Sequence, residues 1–479
     1  FSACVLLKSI PQELMQGATA ATDIKYMFAG CSSVEEIPSG LFKNNAAVTN
    51  LEYIFYKTGV RSLQPGIFEG LTGVKTLGAV FQDCANLTTV EEGLFDGLTA
   101  AKSFRYCFAD CTALRTIPEG LLRGMTLAYE FTYMFHNSAL ESVPQGLFNE
   151  ARDYSSADFT YMFSECPNLK TVPAGLFDRF TKVTSPGYKN LFDKSGIETI
   201  PAGLFAKSTN VSSGFEGVFE NCPKLHTIEG SIFPETTSVS SIAYAFCNCP
   251  ELKSIPEDLF APFGSAKLKF TATFAACSSL EQIPAALFAS NPKTKQFSET
   301  FADCVSLSEI PAGLFDACTE ITTVKGLFHG CTALESIPEG LFANNVAITS
   351  FETTFAECKS LRSIPADLFS SIGTTTSSVK FTDCFAECSS LESVPHTLFD
   401  TVRRINYIDG CFEGCVSLTG ESPYTVIVAE DGTECKVHLY ERERGDDFPN
   451  APVNDSAHSG CFAGCTNLAD YSDIPSSWR

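Results

Sequence analysis

The feature that most constrains this chain is a phrase that keeps returning. Ile-Pro-x-Gly-Leu-Phe stands at residues 37–42, 200–205, 310–315 and 337–342, with looser copies between. Its apolar anchor falls at Ile10, Ile37, Leu63, Val90, Ile117, Val143, Val172, Ile200, Ile228, Ile255, Ile283, Ile310, Ile337, Ile364 and Val394, in steps of 26 to 30 residues, and returns at Ile474. A period of that length belongs to a solenoid, whose coils bury their apolar faces only against neighbouring coils. Upstream of each anchor lies a second phrase, Phe-x-x-Cys-x-x-Leu, as in Phe81/Cys84/Leu87, Phe163/Cys166/Leu169 and Phe301/Cys304/Leu307. Counted from Phe1 to Phe462 it gives about seventeen coils.

Each slot has a physical role. The stretch from the Leu to the Ile-Pro is the expected strand, one parallel strand per coil, ended by a proline that cannot donate to a ladder. The Pro-x-Gly-Leu-Phe that follows reads as a turn or a single helical turn, with Gly free to take a positive φ and Leu-Phe turned into the stack. The fold class is therefore a leucine-rich-repeat solenoid, α/β or mainly β. Of the 41 Phe, thirteen fill the Leu-Phe slot and seventeen the Phe-x-x-Cys slot, which makes them core and not a ligand stack.

Fourteen of the 21 Cys occupy the repeat slot. In three coils Thr58, Ser138 or Ser195 replaces the thiol, and the same coils are one residue shorter before Val60, Leu140 and Ile197. That pairing of hydroxyl with shortened corner implies a slot aimed at backbone groups in a tight bend. Side chains in a ladder run parallel, so the thiols are expected to stay free. The pairs Cys107/Cys111, Cys384/Cys388, Cys411/Cys415 and Cys461/Cys465 invite a metal reading, but the first member stands where other coils have Met27, Val80 or Leu327. No metal and no cofactor are expected.

With 33 Lys and Arg against 56 Asp and Glu, the formal charge of −23 argues against nucleic acid, and no basic stripe offsets it. No apolar run approaches the roughly 20 residues of a membrane span. The first position after the strand Leu runs Arg115, Glu141, Lys170, Glu198 and, later, Glu335, Arg362, Glu392, a ladder of ion pairs on the solvent face. No nucleophile, base and orienter cluster along the chain, so no enzyme is expected.

The segment from Phe-x-x-Cys to Ile-Pro resembles the BspA-like leucine-rich repeat of bacterial surface proteins, and residues 22–31, Thr-Asp-Ile-Lys-Tyr-Met-Phe-Ala-Gly-Cys, resemble the related Met-Phe-x-x-Cys surface repeats. The resemblance implies a secreted or outer-membrane-anchored protein, with a lipid anchor upstream of Phe1, that binds extracellular-matrix or host-surface protein, or glycan; a monomer is expected. The Gly-Leu-Phe turn departs from the shorter BspA-like unit.

The repeat runs through residues 1–418 and breaks at 419–460, where the strand-forming stretches 424–429 and 434–440 flank Asp431-Gly432, a hairpin signal. Residues 461–479 form a final coil and cap containing Trp478, the only Trp. Phe1 begins mid-coil, which implies a preceding segment. Tyr154, Phe180, Tyr188 and Phe263 match no repeat slot, and Arg442, Arg444 and Phe448 lie in the polar loop after the hairpin. These seven are the expected partner contacts. A passive spacer for an absent domain is the alternative role.

Overall fold

The computed structural model describes residues 1–479 apart from 155, 184–185, 212–213, 373–377, 403, 429–431 and 443–456. Two compact units, Phe1–Val239 and Ser240–Arg479, are built from the same coil. Among the described residues there is no α-helix, only single 3-10 turns at Ala261–Phe263 and Leu439–Glu441, so the solenoid is mainly β.

The expected strand is present but very short. β1 (Ser62–Leu63) pairs in parallel with β2 (Thr89–Val90), and β3 (Thr199–Ile200) with β4 (Thr227–Ile228), all between the repeat Leu and the proline slot. A second parallel ladder, not expected from the sequence, runs along another edge of the coil. In the first unit it steps Asp23, Asn50, Thr76, Ser103, Glu130, Asp158. In the second it steps Lys269, Gln296, Thr323, Ser350, Lys380, and continues as β5 (Val379–Lys380) against β6 (Ile405–Tyr407). Tight turns bracket both ladders, leaving one to three extended residues per coil.

The turn that follows the second ladder carries most of the coil-to-coil bonding. Tyr26, Phe28 and Gly30 donate their N–H groups to Glu52, Ile54 and Tyr56 of the next coil, while Met27, Ala29 and Cys31 donate three residues back within their own. Every N–H is thus used, which a buried corner requires. The geometry needs left-handed backbone at two residues four apart, as at Tyr26 (58°) and Gly30 (74°), Ala79 (55°) and Asp83 (60°), or Tyr106 (56°) and Asp110 (61°).

That corner stacks the Phe-x-x-Cys rings into columns. In the first unit the column runs from Phe1 to Phe219, with neighbouring centroids 5.2–5.8 Å apart and nearly parallel. In the second it runs from Phe246 to Phe462 at 5.3–5.8 Å. The Leu-Phe rings pack edge-on or tilted against further aromatics, as Phe288 does against Phe270 and Phe297. The repeat thiols lie beside these columns and donate to the preceding coil's Phe carbonyl: Cys84 to Phe55, Cys304 to Phe274 and Cys358 to Phe328 at 3.2–3.3 Å. In the short coils Thr58, Ser138 and Ser195 contact the next thiol, Cys84, Cys166 and Cys222, at 3.3–3.5 Å.

The interruption near the C-terminus forms an antiparallel hairpin, β7 (Tyr424–Val428) with β8 (Glu434–His438), in register from Tyr424↔His438 to Val428↔Glu434. Trp478 is buried over His458 and stacks toward Phe462, the last ring of its column. Of the expected ion ladder, Arg115–Glu141, Lys170–Glu198 and Arg362–Glu392 form pairs, exposed except for the half-buried Glu198, and Arg61–Glu35 adds another at the same slot.

Candidate functional site: a row of stacked tyrosines

The left-handed residue two positions before each Phe-x-x-Cys phenylalanine throws its side chain onto the surface, and in the first unit this residue is usually tyrosine. Tyr26 stacks on Tyr53 at 4.8 Å, and Tyr106, Tyr133 and Tyr161 stack in series at 4.7 Å, all within 10° of parallel. Bonds from the ladder residues fix the turn: Asp23 Oδ1 accepts from the Lys25 N–H, Asn50 Oδ1 from Glu52, Thr76 Oγ1 from Gly78 and Asp158 Oδ1 from Thr160. Tyr26 is 45% exposed, so the row is partly wet. Partial burial raises the Tyr53, Tyr133 and Tyr161 hydroxyls above their ordinary pKa, which keeps them neutral hydrogen-bonding groups.

The row is interrupted at Ala79. There an open groove of about 620 Å³ runs between the tyrosine row and the residues flanking the ladder, with Tyr53 and Tyr106 on one side and Lys75, Lys102 and Tyr129 on the other. The Arg105 guanidinium lies over the Tyr106 ring, 5.2 Å from its centroid. Glu52 is held by Thr76 Oγ1 at 3.3 Å. Rigid aromatics beside exposed cations are the composition of a recognition surface.

The partner contacts expected from the sequence fare differently. Phe180, Tyr188 and Phe263 are completely buried, which corrects their choice as partner contacts. Tyr188 belongs to a third aromatic column, 5.3 Å from Phe159 and 5.5 Å from Phe215, and its hydroxyl meets Ser208 Oγ at 2.7 Å. Phe180 and Phe263 fill the slot three residues after the Leu-Phe ring, where other coils bury Leu71, Met125, Ile372 or Val402. In three coils that slot holds Asn45, Asn291 or Asn345, whose amides donate to carbonyls of the preceding coil. The mixed chemistry hid the slot from periodicity. Tyr154 is half-buried, edge-on to Tyr129 at 6.0 Å, at the far end of the tyrosine face.

Arg442 is also corrected. It is buried beneath the hairpin, donating to the Phe399 carbonyl at 3.3 Å and Thr425 Oγ1 at 2.8 Å, and burial depresses its pKa to about 10. It anchors β7 to the coils. Arg444 and Phe448 lie outside the described residues. The tyrosine row itself escaped the sequence reading, although Tyr two residues before the repeat Phe in six coils, five of them in the first unit, was the available signal.

One polar cluster has the residue types of a hydrolytic triad without its arrangement. Ser422 Oγ contacts both His438 Nδ1 at 2.9 Å and Asp470 Oδ2 at 2.5 Å, and Tyr440 donates to the same carboxylate oxygen. In a triad the imidazole separates serine from carboxylate, using one nitrogen for each. Here Ser422 is wholly buried and bonded directly to Asp470, so the cluster clamps the hairpin to the final coil. Among the described residues no group of three or more His, Cys, Asp or Glu is placed to hold a metal ion, and no helix is long and apolar enough to cross a membrane.

Coil, ladders and aromatic columns together define a leucine-rich-repeat protein with an aromatic surface row. No family model and no curated protein matches the sequence. Among solved structures, it is similar to a leucine-rich repeat protein from Bacteroides ovatus (18% identity, TM-score 0.29, 76% of this chain and 82% of that one). It is also similar to a leucine-rich cell-surface protein from Faecalibacterium prausnitzii (19%, 0.33, 80% and 82%). Drosophila Toll, solved in complex with Spatzle, gives 12% identity and a TM-score of 0.43 over 86% of this chain, which spans 49% of that one. At such identities and TM-scores these likenesses add nothing to what the coils themselves show.

Proposed function

We propose that this chain is a protein-binding repeat scaffold of the bacterial cell surface, acting as a monomeric adhesion module without catalytic activity, and that the tyrosine row of the first unit is its contact face. The observation that carries the proposal is the row from Tyr26 to Tyr161. A stacked, half-exposed tyrosine presents an apolar face with a polar tip, and it is the residue type that supplies large, rigid contact area at low entropic cost. Repeat scaffolds use such regular faces to engage extended partners. The resemblance to BspA-like repeats supports surface display and a lipid anchor.

The test is binding of the immobilised chain to extracellular-matrix proteins, host-surface proteins and glycans, beside a Tyr106→Ser/Tyr133→Ser variant. Saturable binding to a protein, weakened at least tenfold in the variant, is expected. Binding unchanged in the variant would remove the face, and binding to glycans alone would replace protein recognition by glycan recognition.

A further inference from the structure

We infer that the gap at Ala79 is a slot that receives one aromatic side chain from an acidic segment of a partner protein, an inference that rests on the protein-binding role proposed above. The row shows what such a slot holds. Tyr133 lies between Tyr106 and Tyr161, 4.7 Å from each and within 10° of parallel to both. The bridges Asn50↔Thr76 and Thr76↔Ser103 keep the coils in unbroken step through the gap, so the Tyr53 and Tyr106 rings stand two steps apart. Two steps leave about twice the stacking distance, room for one flat ring in offset contact with both walls.

The surroundings select the partner's charge. Lys75, Lys102 and Arg105 line the groove together with Glu52 and Glu130, a net charge of one positive, and among the described residues none of the three cations is in an ion pair within 4 Å. Arg61, Lys57 and Lys170, elsewhere on the same unit, pair with Glu35, Asp83 and Glu198. A local positive excess on a chain of net charge −23 favours an acidic segment and disfavours a basic one. Ala79 is almost wholly covered, so an entering ring displaces the side chain that lies over it. The side chain displaced is Arg105, which lies exposed over the Tyr106 wall and in no ion pair; moved to the rim, its guanidinium would meet a carboxylate neighbouring the entering ring.

The slot can be filled by mutation. Ala79 has φ 55°, and the tyrosines at the equivalent positions have φ 54–60°, so Ala79→Tyr places a ring in the gap on a backbone that already suits it. The full chain is titrated, by saturation-transfer NMR, with a blocked pentapeptide of one tyrosine flanked by two aspartates on each side. The same peptide with central alanine, its lysine-flanked counterpart and a uronic-acid oligosaccharide serve as comparisons. Transfer to the tyrosine ring of the acidic peptide is expected, weakened roughly tenfold or more in Ala79→Tyr with the melting temperature unchanged or raised, and weakened likewise in Tyr53→Ser and Tyr106→Ser.

Unchanged peptide affinity in Ala79→Tyr overturns the slot, as does equal binding of the alanine peptide. Oligosaccharide binding that Ala79→Tyr abolishes, without peptide binding, assigns the groove to glycan and overturns it too. The two readings separate with any protein partner found: if Tyr133→Ser weakens that partner and Ala79→Tyr does not, the face stands and the slot falls.

Discussion

The residue before each repeat cysteine, or before the Thr or Ser that replaces it, turns left-handed, and the amino acids found there divide into those that take this conformation easily and those that do not. Gly30, Asp83, Asn137, Asn248 and Asp303 belong to the first kind, Lys57, Glu165, Lys194 and Glu357 to the second. The strain is offset by the coil-to-coil bond that each makes, as Glu357 N–H does to Ala386. Glu357→Gly should therefore stabilise the protein by up to about 1 kcal/mol, read as a higher urea midpoint; no gain would mean that the position carries no strain. The neighbouring thiols fill space and bond at once. Cys304→Ala removes the Sγ–H bond to Phe274 and a buried sulfur, an expected loss of about 1–3 kcal/mol by the same measurement, whereas exposed Cys435→Ala should change nothing measurable.

At the scale of elements, the coil was legible because proline, glycine and phenylalanine recur in register, and the hairpin because Asp431-Gly432 separates two strand-forming stretches. The second ladder was not, since Asp23, Asn50, Thr76, Ser103 and Glu130 share a backbone role but no side-chain type. Of the candidate contacts, Phe180, Tyr188 and Phe263 looked irregular because their slots accept residue types of different size or polarity, and burial decided their role. The hairpin has its own vulnerable joint. Asp470 receives the Ser422 N–H and hydroxyl, so Asp470→Ala leaves the buried N–H unpaired and the hydroxyl with His438 alone. An expected loss of about 1–3 kcal/mol should appear in hydrogen exchange as faster opening of β7 and β8, with amides near Phe301 and Phe328 unaffected; uniform acceleration across the coils would refute a local clamp.

Across the whole molecule, the buried thiols tie stability to alkaline pH. Burial pushes Cys84 and Cys166 up to about 11 and Cys277 and Cys388 to about 12, against an ordinary value near 9. Above that ordinary value the unfolded chain releases protons that the folded chain holds. The thiol contribution is thus complete below about pH 9 and declines as the pH climbs toward 11–12, by about 1.4 kcal/mol per pH unit for each thiol. Melting temperatures measured from pH 7 to 11 should fall steeply past 9, and a flat profile would contradict buried, protonated thiols. The placement of the chromophores offers a way to follow such experiments. Nine of the fourteen tyrosines lie in the first unit, while Trp478 sits against His458 at the end of the second unit's phenylalanine column. The protein thus carries two intrinsic optical labels, with tyrosine emission weighted toward one half of the sequence and tryptophan emission confined to the other, so a single fluorescence titration distinguishes concerted melting from unravelling that starts at one end.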